Sequence, residues 1–187
     1  MSRAGYSEDY GDDDPLVAGR WKGALRRAMR GRPGQAFFRE LLAALDALPQ
    51  KRLVANVLQE AEWDATGENL VPVKDGDVCA FGAVGRARGI EMPARLDLDE
   101  DDYEIAEEVQ SLFGTTDALS REIMYQNDEG GYGRRVPLPN VRMGEWDCFA
   151  CMYLPETPEE RFTRMRNWVA ACIAASTPTS AGGRETP

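Results

Sequence analysis

The sequence contains no histidine. That removes the side chain that most often serves as general base, metal ligand or partner of a nucleophilic serine or cysteine. Cysteine is sparse: Cys79, Cys148, Cys151 and Cys172 are four in 187 residues, too few for a disulfide scaffold. Long apolar runs are missing, because charge interrupts every hydrophobic stretch, and no membrane span is expected. Residues 1–14 are polar and acidic and lack the apolar centre of a signal peptide. Basic residues are the minority, 22 Lys and Arg against 32 Asp and Glu, for a net charge of −10. That balance repels phosphate on average and argues against general affinity for nucleic acid or membrane surfaces. A soluble chain in a reducing cytoplasm is the expectation. The rest of the composition is ordinary, and the chain is long enough to bury a core without metal or disulfides.

Apolar spacing predicts a mainly α chain: one domain over 15–175, a bundle of five to six helices with little or no strand. Residues 1–14 and 176–187 read as disordered tails, the first acidic, the second rich in Ser, Thr, Pro and Gly. Trp21, Ala24, Leu25, Ala28 and Met29 form one helical stripe. The break Gly31-Arg32-Pro33-Gly34 separates it from a second, with Phe37, Phe38, Leu41, Leu42, Leu45 and Leu48 inward, so the two helices make an N-terminal αα-hairpin. Residues 51–58 lean helical, and 64–76 read as loop. Asp77 is the expected cap of a helix over 77–88. Further helices are expected over 101–113 and 117–126. Residues 134–156 read as irregular. The sharpest start signal is Thr157-Pro158-Glu159-Glu160, a capping box opening a helix over 158–174.

Four stretches, taken in order, carry a resemblance: WKGALRRAMRGRPGQAFFRELLAALDALPQKRL (21–53), DVCAFGAVGRARG (77–89), EIMYQNDE (122–129) and ETPEERFTRMRNWV (156–169). Together they resemble a family of small uncharacterised proteins of tailed phages and bacterial prophages. The match covers about two-fifths of the chain, with 59–76 and 130–155 resembling insertions. The resemblance implies phage origin and action in the bacterial host cytoplasm. It brings no assigned activity and no catalytic residues.

Two charged segments are candidate binding surfaces. Residues 20–39 hold Arg20, Lys22, Arg26, Arg27, Arg30, Arg32 and Arg39 and no acid, so the other 167 residues carry −17. Such a face suits a phosphate backbone or an acidic protein groove, unless it docks internally or is simply solvated. A helix-turn-helix reader fits poorly, because the second helix is apolar. The other segment holds Asp97, Asp99, Glu100, Asp101, Asp102, Glu104, Glu107 and Glu108. Three readings apply to it: mimicry of a nucleic-acid backbone, a calcium loop, or acids favoured at a helix N-terminus. The calcium template fails at its sixth position, where Asp102 replaces the required glycine.

Cys148-x-x-Cys151 is a lone pair; only Cys79 and Cys172 are left to complete a four-cysteine zinc site, and both sit on apolar helical faces. The glycines at 82, 85 and 89 match no phosphate-binding fingerprint and suit close helix packing, with Arg86 and Arg88 as candidate anion contacts. Glu122, Asp128 and Glu129 lie close in sequence without a spacing that demands catalysis. No catalytic residue, metal or cofactor is assigned. The leading expectation is a non-enzymatic phage accessory protein that binds a host protein or nucleoprotein complex through the acidic surface, in the manner of an anti-CRISPR or anti-restriction inhibitor. The alternatives are a nucleic-acid-binding module using the basic helix at 20–39, and a small carboxylate- and metal-dependent enzyme. Oligomeric state is open.

Overall fold

The structure, a computed structural model, describes residues 15–93, 102–131, 134–137 and 151–174. The expected tails at 1–14 and 176–187 lie outside the described residues, as do Asp97, Asp99, Glu100, Asp101 and Cys148. Six helices make up most of the described chain: α1 (Pro15–Arg30), α2 (Arg32–Ala47), α3 (Ala80–Arg88), α4 (Asp102–Phe113), α5 (Asp117–Asp128) and α6 (Pro158–Ala174). Strand is confined, among the described residues, to two short antiparallel pairs. One joins β1 (Ala61–Trp63) to β2 (Leu70–Pro72), the other β3 (Arg134–Pro137) to β4 (Cys151–Leu154). The chain is mainly α.

One hydrophobic cluster joins α2 to α6. The α2 stripe reads as its spacing predicts: Phe37, Phe38, Leu41, Leu45 and Leu48 are buried and Leu42 half-buried. Phe81 of α3 bridges two rings, 5.7 Å from Phe37 and 5.0 Å from Phe113 of α4 between centroids. Trp168 of α6 meets Phe38 edge-on at 5.5 Å. Offset and edge-on contacts of this kind suit the ring quadrupoles. Val109, Leu119, Ile123, Met165 and Val169 complete the interior.

Residues 51–58 are not helical. The backbone is left-handed at Lys51 and Asn56, with φ of 50° and 67°; the segment bends over 55–58 and bridges to Val78 at Leu53. Its polar groups pair outward: Leu53 N–H donates to the Pro158 carbonyl, Val54 N–H to that of Val78, and Cys79 N–H to that of Leu58. A helix would have kept those groups to itself. The 64–76 loop is corrected as well, since β2 lies within it. Asp64 closes the β1–β2 turn by accepting from Thr66 and Asn69, and these bonds hold its carboxyl well below the usual range.

Asp77 is not the cap of α3. The cap is Cys79, whose Sγ accepts the Gly82 N–H at 3.4 Å. Asp77 sits earlier in the chain, where its carboxylate faces Arg52 at 3.3 Å. Gly82 lies against the 51–58 segment rather than another helix: a Cβ there would fall 1.9 Å from the Leu58 carbonyl oxygen. The capping box of α6 forms as its sequence predicts, with Glu160 N–H donating to Thr157 Oγ1 and Thr157 N–H to Glu160 Oε2. Near 134–156 the β3–β4 pair replaces part of the expected irregular stretch.

Candidate binding face

α1 forms because an apolar stripe recurs at helical spacing behind a Pro at the first position. It ends at Gly31, whose extended backbone (φ −65°, ψ 154°) is the single residue between α1 and α2. Pro33 in the first turn of α2 suits a position where the amide needs no helical partner. Gly34 then lets α1 and α2 cross closely, since a Cβ there would lie 1.9 Å from the Ala28 carbonyl oxygen. Buried Gln35 locks the junction: its Nε2 donates to the Met29 carbonyl at 2.8 Å and to the Cys172 carbonyl of α6 at 3.3 Å. Gln35 carries no signal in sequence, because a glutamine on the edge of a stripe usually faces water.

Trp21, Ala24, Leu25, Ala28 and Met29, the apolar stripe of α1, all end up only half-buried. Part of that stripe lines an open cleft of about 750 Å³ between α1, the start of α2 and the start of α5. Buried Phe37 and Leu119 form its depth, and half-buried Trp21, Ala24 and Ala28 form the α1 wall. Exposed Arg20 and Arg27 also line it.

Around the rest of α1 the surface is cationic. Arg20, Lys22, Arg26, Arg27, Arg30 and Arg32 are all exposed. Among the described residues none of the six makes an ion pair or a side-chain hydrogen bond. Arginines elsewhere are treated differently. Arg52 meets Asp77 and Glu159, Arg121 meets Asp117, Arg161 and Arg164 share Glu156, and Arg166 meets Asp46. Arg39 donates to the Gln35 carbonyl. The α1 cations also crowd one another. Lys22, Arg26 and Arg30 follow at four-residue spacing, where like charges cost roughly 0.2–0.5 kcal/mol per pair. Only Arg27 and Arg30, in the last turn, gain from the helix dipole.

The acidic segment is placed only in part. Asp102 and Glu104 fall in the first turn of α4. Glu107 is exposed and Glu108 half-buried on the same helix.

Arg86 and Arg88 are engaged within the fold. Arg86 donates to the Gly76 carbonyl at 2.8 Å. Arg88 forks onto both Glu40 oxygens at 2.6 and 2.8 Å, donates to the Phe113 carbonyl and lies over the Phe37 ring. Asp128 accepts the Asn56 N–H, and Glu122 Oε1 accepts from Gln126. Cys79 and Cys172 are thiols at neutral pH, because burial pushes them up to about 12 and about 11. Among the described residues no three Cys, Asp or Glu side chains converge in a group that could hold a metal ion. No described helix is long and apolar enough to cross a membrane.

Compared with family models, with curated proteins and with solved structures, the chain finds no match.

Proposed function

We propose that this chain is a non-enzymatic phage accessory protein that binds an acidic host macromolecule, and that its contact surface is the cationic face of α1. The observation that carries the reading is the set of six exposed cations without an ion pair among the described residues. In a chain of net charge −10, with carboxylates in excess, a solvated face has many opportunities to pair internally. Instead the cations are held together at a cost in helix stability, which an acidic partner would repay in binding.

The partner class favoured is protein. Outside 20–39 the chain carries −17, which opposes a long phosphate backbone lying across it. α2, the helix that would enter a DNA groove in a helix-turn-helix protein, spends its side chains on the core. The phage resemblance supplies the setting, a bacterial cytoplasm, and counter-defence is the form of host takeover that fits a small binding protein there.

The test is recovery of partners from the bacterial host on the tagged full chain, with and without nuclease. A stoichiometric protein that survives nuclease and is lost on replacing Arg26, Arg27 and Arg30 by Ala supports the reading. Recovery of nucleic acid, with any proteins lost on nuclease treatment, would replace it with the nucleic-acid alternative. A partner retained by the triple variant would move the contact off α1, with the acidic segment at 97–108 next to be probed.

A further inference from the structure

The cleft beside α1 combines two recognition elements that the cationic face alone does not explain. Its depth is apolar, formed by Phe37 and Leu119, and its α1 wall is Trp21, Ala24 and Ala28. Its lining includes two exposed guanidinium groups on one helix, Arg20 and Arg27. Two turns of α1 separate them, about 10 Å along the axis at 1.5 Å per residue. The one carboxylate in the lining, that of Asp117, is engaged by Arg121 Nε at 2.7 Å. At about 750 Å³ the cleft lies within the range of pockets that enclose a ligand, roughly 300–1,000 Å³.

From this geometry we infer that the cleft receives an acidic amphipathic helix of a partner protein. Two of its carboxylates, seven residues apart, meet Arg20 and Arg27, and apolar side chains between them, at the third and fourth positions, enter the cleft. The inference rests on the cationic-face reading and sharpens it. Charge complementarity selects acids, and the apolar depth selects a peptide with hydrophobic anchors over a polyanion with none. A helix matches because its i and i+7 residues repeat the rise between Arg20 and Arg27, while i+3 and i+4 share their face. Nucleic acid would meet the arginines and leave the apolar depth unfilled.

The experiment is peptide selection on the immobilised full chain, using a displayed library of random peptides as long as α1, 16 residues. Expected is enrichment of acids seven apart flanking apolar residues. Binding of the winners should fall about tenfold or more with Arg20→Ala and Arg27→Ala together. It should fall similarly with Ala24→Phe, which fills the cleft. The two arginines are exposed, so their variant tests the inference even if Ala24→Phe perturbs folding. Lys22→Ala with Arg30→Ala, off the cleft lining, should cost much less. No enrichment, or enriched peptides that bind equally well with their apolar residues replaced by Ser, would overturn the inference. So would enrichment appearing only when Glu8, Asp9, Asp12, Asp13 and Asp14 are neutralised, which would make the chain's own N-terminal acids the occupant. If the host partner is lost with Arg26, Arg27 and Arg30 replaced by Ala but retained with Ala24→Phe and with Arg20→Ala, the cationic-face reading stands and the cleft falls.

Discussion

The side-chain carbonyl of Asn127 accepts the backbone N–H of Ala80 at 3.1 Å, so one buried side chain joins the last turn of α5 to the first residue of α3. Its Nδ2 donates to the Val54 carbonyl at 2.9 Å and to Asp128 Oδ1 at 2.7 Å. Asp128 Oδ1 in turn accepts the Asn56 N–H at 2.8 Å. Arg164 of α6 reaches the end of the same helix, donating to the Gln126 and Asn127 carbonyls while forking onto Glu156. Gln126, Asn127 and Asp128 thus form a structural clamp for α3, α6 and the 51–58 segment.

Asn127→Ala strands the Ala80 N–H and the Val54 carbonyl inside the protein. A lost partner that leaves a buried polar group unsatisfied costs about 1–3 kcal/mol each. Urea unfolding should show a loss of about 2–6 kcal/mol. A loss under about 1 kcal/mol would mean that water or a backbone shift satisfies both groups.

Glycine substitutions should split by sign. Gly19 is an interior residue of α1, and a Cβ there would meet no atom within 4 Å, so Gly19→Ala should stabilise by about 0.5–1 kcal/mol. Gly82→Ala places its methyl 1.9 Å from the Leu58 carbonyl oxygen and forces the 51–58 segment off α3. It should destabilise by about 1–3 kcal/mol or more, against its better helix propensity. Thermal melts of both variants check this, and two shifts of one sign would contradict the packing of Leu58 on α3.

Arg26→Glu separates stability from binding. The new carboxylate would lie four residues from both Lys22 and Arg30, turning two repulsive pairs into attractive ones. The gain should be a few tenths to about 1 kcal/mol, visible as a small rise in Tm and screened by salt. Affinity for the host partner should fall in the same variant. If affinity holds while Tm rises, the cationic face is a solvated surface.

Acid should act through two opposed sets of carboxyls. The Arg88 guanidinium bonded to Glu40, and that of Arg166 bonded to Asp46, hold these carboxyls below their ordinary values despite some burial. A lowered folded value means stability that is present above the unfolded value, about 3.9–4.3, and is lost as pH falls through the folded one. Asp77 has the opposite sign. Burial raises it, opposed by Arg52 and reinforced by Glu60 and Glu159. The folded state therefore takes up that proton first, and stability rises as pH drops through the raised value toward about 3.9. Stability should pass through a shallow acid-side maximum before falling. In Asp77→Asn the maximum should disappear while the fall remains; an unchanged profile would assign the titration elsewhere.

Helices were legible in the sequence wherever one apolar face repeats every three to four residues and meets a strong boundary. α2 follows its stripe, and α6 starts at its capping box, because periodicity and capping are local properties. The cationic segment was equally legible, since charge adds along the chain without reference to the fold. Three things needed the tertiary structure. Residues 51–58 have helix-compatible side chains, yet their backbone pairs with Val78, Cys79 and the start of α6, and long-range hydrogen bonds outweigh a weak local propensity. Arg88 and the α1 arginines look alike in sequence; only the fold brings Glu40 to one and leaves the others without a described carboxylate. The cleft exists because α1, the Gly34 crossing and the start of α5, far along the chain, leave an apolar stripe half-covered. Sequence sets which faces are apolar or charged; what covers each face depends on where distant segments pack.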